Sequence, residues 1–181
     1  MEGAGNDYVF VDALRTPFPL ERGGELARRW SDRHFGIGSD GLIVLTAGTA
    51  APVRMHMWNA DGSRGAMCGN GLRCLAKLAV GHGHVTGPRF VVETDAGLRP
   101  VELLATGDVR TAMGAVEVEP PQRFDVDGRE LLLWRGNAGN PHATTFVADV
   151  DTADVAGLGA ALQRHEAFPD GVNVEFVQVL A

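Results

Sequence analysis

Apolar and polar positions alternate, run together and break along this chain in the manner of a mixed α/β protein. Gly3-Ala4-Gly5-Asn6-Asp7 reads as a turn, and the β-branched and aromatic residues at 8–11 as the strand that follows it. Residues 25–30 have helical composition, with Leu26, Ala27 and Trp30 at the spacing of one face. The apolar run at 42–45 predicts a buried strand. Val53, Met55 and Met57 alternate with Arg54, His56 and Trp58, the pattern of a half-exposed strand. Leu72, Leu75, Ala76 and Ala79 form the stripe of a helix over 72–80, which Gly81 and Gly83 end. Residues 90–94 and 99–104 predict a hairpin around Asp95-Ala96-Gly97. A strand is expected at 109–118, with Pro120-Pro121 after it as the candidate linker. Further strands are expected at 131–134, 144–147 and 172–180, and a helix over 152–164 capped by Asp151.

One stretch does not read as packing. Between the strand at 53–58 and the helix at 72–80 lie Asn59-Ala60-Asp61-Gly62-Ser63 and then Cys68-Gly69-Asn70-Gly71. Buried cysteines are common and inert, but a core cysteine needs no setting so polar and so rich in glycine. At a helix start, unpaired N–H groups and the helix dipole create positive potential. A free thiol, with an ordinary pKa near 8.5, becomes more acidic there.

The pattern also repeats. Ala4-Gly5-Asn6 and the strand to Asp12 are echoed by Ala138-Gly139-Asn140 and the strand to Asp149. Arg33-His34-Phe35 and the strand ending at Leu45 are echoed by Arg164-His165, Phe168 and the strand ending at Leu180. Both echoes fall at an offset of roughly 131 to 135 residues and keep one order of elements. Two similar halves are expected, 1–115 carrying Cys68 and 116–181. The counterpart of Cys68 would fall near position 200, so the second half reads as incomplete.

Composition narrows the function classes. Glycine is 24 of 181 residues, nearly twice the average share, which suits many tight turns or backbone–ligand contacts. With a net charge of −7 and no basic cluster interleaved with aromatics, nucleic-acid binding is not expected. No apolar run approaches a membrane span, and no secretory signal is visible at the start. Two cysteines six residues apart make no disulfide framework, so a reducing, cytoplasmic setting is expected. His56, His82 and His84 read as solvated rather than as metal ligands, Asp61 as a turn cap and His34 as structural.

A pair of domains, each presenting a thiol at a helix start, suits stereoinversion at carbon. One thiolate removes a proton from one face and the opposite thiol returns one to the other. The residues resemble a known family at this point. Gly5-Asn6-Asp7, Asp32-Arg33-His34 with Gly36-Ile37-Gly38, Asn59-Ala60-Asp61-Gly62-Ser63, Cys68-Gly69-Asn70-Gly71-Leu72-Arg73-Cys74, Gly139-Asn140-Pro141-His142, and Phe168-Pro169 with Asn173 occur in the order of a diaminopimelate epimerase. That resemblance implies a cofactor-independent isomerase of lysine and peptidoglycan precursor synthesis, interconverting LL- and meso-diaminopimelate, with no metal. It implies that Cys68 is one of two acid–base thiols and that Gly69 and Asn70 bind the reacting carboxylate. Asn6 and Asn59 from the first half, and Asn140 and Asn173 from the second, would bind substrate, and His142 would support the centre. The implied fold is α/β (α+β): two pseudo-symmetric halves, each a curved sheet around a central helix, the second incomplete. The expected partner is the small-molecule substrate, without nucleic acid or membrane, and a homodimer is compatible.

The sequence departs from that family in three places. The Glu-Arg pair and second Ala-Cys-Gly motif of the family's second half are absent. Cys74 is no substitute, being about 1.7 helical turns from Cys68, and is expected to be a packed core thiol. Met1 nearly abuts the first turn, and Gly41 stands where some members have a substrate-holding glutamine. With one thiol, the chain alone is expected not to epimerise. The alternatives are a sister racemase or isomerase of the same fold acting on another small amino or hydroxy acid, and a non-catalytic ligand-binding or redox-sensing domain. A cysteine-nucleophile hydrolase is least favoured, since no histidine is convincingly placed beside the thiol.

Overall fold

The computed structural model describes residues 1–138, 140–169 and 171–180, and the chain divides into two compact units, Met1–Met113 and Gly114–Ala181. In the first unit, β1 (Glu2–Gly3), β2 (Asn6–Asp12), β3 (Gly41–Ala47), β4 (Val53–Asn59), β5 (Arg64–Gly65), β6 (Arg89–Thr94), β7 (Gly97–Leu103) and β8 (Val109–Thr111) form one sheet, with α1 (Gly23–Ser31) and α2 (Gly69–Gly81). The strand order is β1-β2-β3-β4-β6-β7-β8, with β5 on β4. The parallel pair β2–β3 is bridged by α1, and the parallel pair β4–β6 by α2.

Alternation along the strands decides which helix lies on which face. Tyr8, Ile43, Leu45, Val53, Met55 and Met57 pack with Leu72, Leu75, Ala76 and Ala79 of α2. Leu42, Val44 and Trp58 pack on the other face with Leu26 and Ala27 of α1. The two end strands, β1 and β8, both touch α2, as do four strands between them, so the sheet curls around that helix. Leu72 and Leu75 are wholly buried, each contributing on the order of 2 kcal/mol of apolar burial.

Lengths then match. From residue 6 to residue 12, β2 advances about 20 Å at about 3.3 Å per residue. From residue 68 to residue 82, α2 with its caps rises about 21 Å at about 1.5 Å per residue. Strand and helix start together, with Asn6 against Cys68, and end together, with Asp12 against His82.

The second unit holds β9 (Glu117–Val118), β10 (Gln122–Val126), β11 (Arg129–Asn137), β12 (Pro141–Phe146), α3 (Val155–Gln163) and β13 (Asn173–Val177). The sheet order is β10-β11-β12-β13, with β9 on β11. β12 and β13 run parallel, bridged by α3, as β2 and β3 are by α1. The registers repeat too: Tyr8 pairs with Gly41, and His142 with Asn173, at offsets of 134 and 132. A core of Val126, Leu133, Ala143, Leu162, Phe168 and Val172 lies under α3. α3 thus has the place of α1, and the described residues of this unit include no counterpart of α2.

Four expectations about elements change. The strand expected at 109–118 is two short pieces, β8 and β9, because Gly114, with φ +92, interrupts it. The cap of α3 is Asp154, whose carboxylate accepts the Gly157 N–H at 3.0 Å, rather than Asp151. The last strand stops at Val177, short of 180. β10 was not expected at all. Pro120 and Pro121 lie between β9 and β10, inside the second unit.

Candidate active site

Cys68 is the N-cap residue of α2, with extended backbone (φ −130°, ψ 122°). Its Sγ accepts the Gly71 N–H at 3.5 Å and the Asn6 side-chain amide at 3.6 Å. The N–H groups of Gly69 and Asn70 stand in the first turn, where a helix offers no carbonyl behind them. No acidic side chain occupies that turn, so its positive end is free to meet an anion. Asn70 accepts from the Arg73 guanidinium at 2.6 Å, which fixes its amide.

Asn6 is delivered by a tight hairpin. Gly3 pairs with Asn6 across Ala4 and Gly5, both in the left-handed region (φ 54° and 82°). Two residues on, Tyr8 faces the same helix, 7% exposed, in the core cluster that Cys68 packs against. Burial pushes the Tyr8 phenol well above its ordinary pKa, and the neighbouring Cys68 and Asp40 add to this. Tyr8 therefore stays protonated. The sequence signal that marks it is its place two residues after Asn6 on the same face.

Asn59 ends β4 in the row Tyr8–Gly41–Asn59 across three strands. Its amide donates to Ser63 Oγ at 2.9 Å, closing the turn that Asp61 caps through the Ser63 N–H at 2.8 Å. Gly41 in the middle of that row has no room for a side chain: a Cβ would lie 2.3 Å from the Trp58 carbonyl and 2.9 Å from the Tyr8 ring. The Asp7 N–H donates to Asp40 at 2.9 Å and Arg33 bridges both carboxylates, so the strand is pinned beside the site. The Arg33 hydrogen bonds hold the Asp7 carboxyl below the usual carboxylate range. Cys74 is buried against β1, its thiol donating to the Glu2 carbonyl at 3.2 Å, and burial pushes its pKa up.

Asn140, His142 and Asn173 meet in the second unit. His142 Nε2 contacts the Asn140 carbonyl oxygen at 3.1 Å and Nδ1 the Glu175 carboxylate at 2.7 Å. The Asn173 amide donates to the Pro141 carbonyl at 3.1 Å. At the offset of 134, Asn140 and His142 stand where Asn6 and Tyr8 stand in the first unit. Gly139, part of the same sequence motif, lies outside the described residues.

The histidines expected to be solvated are in fact partnered. His56 contacts Thr46 Oγ1 at 3.0 Å and Arg64 at 2.9 Å and stacks on Trp58. His82 and His84 both contact Asp12.

The family model for diaminopimelate epimerase matches residues 1–119. The diaminopimelate epimerase of Geobacillus thermodenitrificans is 40% identical over 199 residues, covering 100% of this chain and 69% of that protein. That of Desulfitobacterium hafniense is 40% identical over 197 residues, covering 99% and 70%. The chain belongs to the diaminopimelate epimerase family. Among solved structures, a phenazine biosynthesis protein of the PhzF family from Bacillus anthracis aligns with a TM-score of 0.68 at 16% identity, covering 100% of this chain and 64% of that one. A probable proline racemase from Agrobacterium radiobacter aligns with a TM-score of 0.54 at 21% identity, covering 79% and 43%. The chain spans less than two thirds of each of these structures, and at such identities they carry the fold alone. No helix among the described residues is long and apolar enough to cross a membrane. The site of this family member combines a helix-capping thiol with an asparagine amide and a backbone N–H at its sulfur.

Proposed function

We propose that this chain carries one proton-transfer half of a diaminopimelate epimerase, with Cys68 as its acid–base group. The Cys68 thiolate takes the proton from the substrate α-carbon. The C–H electron pair stays on that carbon and spreads into the adjacent carboxylate. The N–H groups of Gly69 and Asn70 and the start of α2 hold the added negative charge. Asn6 and Asn59 contribute neutral amides from the first unit, and Asn140 and Asn173 from the second. In this reading His142, beside Asn140, supports the catalytic centre. The chemistry needs no cofactor, takes place in the cytoplasm, involves no nucleic acid or membrane, and neither requires nor forbids a homodimer.

The observation that supports this most is the surrounding of Cys68 Sγ: the Asn6 amide and the Gly71 N–H together at a helix start free of acidic groups. Cys74, tied to the Glu2 carbonyl, does not supply the second thiol. The 181 residues alone should therefore exchange the α-proton on one face without inverting it. Incubation with LL- or meso-diaminopimelate in D2O, read by mass spectrometry, tests this. Slow deuterium uptake without inversion, abolished by Cys68→Ala, is expected. Fast inversion by the 181-residue chain would show that a second thiol is not needed, and uptake that survives Cys68→Ala would remove Cys68 from the reaction.

A further inference from the structure

Far from Cys68, three side chains from three segments converge: Asp12 at the end of β2, His82 at the C-cap of α2, and His84 in the turn beyond. Their donor atoms all lie within 4.8 Å of one another. His82 Nδ1 and His84 Nε2 lie 2.6 and 2.7 Å from Asp12 Oδ2. The local chain is built for this. Gly83 turns in the left-handed region (φ +76°), and the N–H groups of His82 and His84 bond back to the Leu78 and Ala79 carbonyls, so both rings come round to one side. The Leu14 N–H holds Asp12 Oδ1 at 3.1 Å, leaving Oδ2 to the rings.

The charge balance points beyond a hydrogen-bonded trio. The Asp12 side chain is only 8% exposed, and among the described residues it meets no Lys or Arg. Imidazole carries no permanent charge at neutral pH. A carboxylate so nearly buried is ordinarily paired with a cation or coordinates a metal.

We propose that Asp12, His82 and His84 bind a divalent cation of the zinc type, with water as fourth ligand. Two imidazole nitrogens and a carboxylate oxygen are a donor set that suits zinc. Bonds of about 2.0–2.2 Å to a tetrahedral ion require donors about 3.3 Å apart, so each ring backs away from Oδ2 by about 0.6 Å and the two ring nitrogens, now within 4.8 Å of each other, settle at that same spacing. The ion sits about 21 Å along α2 from Cys68 and does not touch the reacting atoms. Its effect is to clamp the end of β2 to the end of α2, as the Asn6–Cys68 contact joins their beginnings.

The test uses the untagged 181-residue chain stripped with EDTA. Calorimetry with Zn²⁺ should find one equivalent, and the Co²⁺ adduct should have a tetrahedral visible spectrum without a sulfur charge-transfer band. Melting should rise by about 5–10 °C at a hundredfold excess over Kd. His82→Gln and His84→Gln, each checked for folding by circular dichroism, should each weaken zinc by more than about 100-fold, beyond what outer-shell changes cost. His165→Gln in the second unit should leave it unchanged. Zinc binding too weak for calorimetry, sulfur ligation of cobalt, or full-strength binding in either folded variant overturns the proposal. The spectrum of the unsubstituted chain decides the question even if both variants misfold.

Discussion

Replacing Asn6 by Ala removes the side-chain amide that donates to Cys68 Sγ at 3.6 Å and leaves the Gly71 N–H at 3.5 Å in place. Asn6 is half-buried at the start of β2, so the core around Tyr8 and Leu72 keeps its packing. On the function proposed above, what is lost is a donor to the thiolate that takes the substrate proton. A hydrogen bond to a charged group contributes about 1.5–3 kcal/mol. The contact is long and a second donor remains, so the lower figure applies, and about 1.36 kcal/mol is a factor of ten in rate. Deuterium uptake at the α-carbon by the 181-residue chain should therefore slow about tenfold at saturating diaminopimelate, while urea unfolding changes by less than about 1 kcal/mol. Mass spectrometry in D2O reads the first and circular dichroism the second. If uptake in folded Asn6→Ala is as fast as in the parent, the amide does not act on the sulfur and its role at the site is withdrawn.

Other outcomes follow from local geometry. Burial, with the charges of Arg64 and Arg54, holds the His56 pKa at about 4 against an ordinary 6.5. The unfolded chain therefore takes up a proton that the folded one refuses. Stability should be full above about pH 6.5 and fall towards pH 4, by about 1–2 kcal/mol once the solvent screening of a half-exposed ring is allowed for. Urea unfolding of His56→Gln at pH 7 and pH 4.5 should show a smaller fall than the parent. Gly41→Ala places a Cβ 2.3 Å from the Trp58 carbonyl and should cost about 3 kcal/mol in urea unfolding. Ala4 holds a left-handed conformation at φ 54°, which costs a non-glycine residue about 1 kcal/mol. Ala4→Gly should therefore raise Tm by about 2–4 °C.

The strands and α2 were legible because burial sets their period. Met55 and Met57 alternate with His56, and Leu72, Leu75, Ala76 and Ala79 keep to one stripe because one sheet covers them all. β10 escaped notice because Phe124 and Val126 are its only apolar positions among charged neighbours. They become a strand only through pairing with Leu131 and Arg129. The cap of α3 was misplaced for a similar reason. Asp149, Asp151 and Asp154 all stand before the helix, and only the backbone geometry selects Asp154, whose oxygen meets an N–H of the helix itself, while Asp149 accepts from Asp151.

The chemistry at the two ends of α2 was half visible. Cys68 could be found from its polar and glycine-rich neighbours in sequence. Asp12, His82 and His84 could not, because their meaning depends on distances across 70 to 72 residues of chain. Yet the rule that joins them is simple. A strand of seven residues and a helix of thirteen with its caps reach equally far. Once the starts of β2 and α2 meet, at Asn6 and Cys68, their ends must meet as well. Any insertion of one residue within β2 would break both meetings together: it would turn Tyr8 away from α2 and carry Asp12 past His82. A chain that keeps its thiol in position by this match has reason to hold the far end as firmly as the near one, and Asp12 with its two histidines does that at the end away from Cys68.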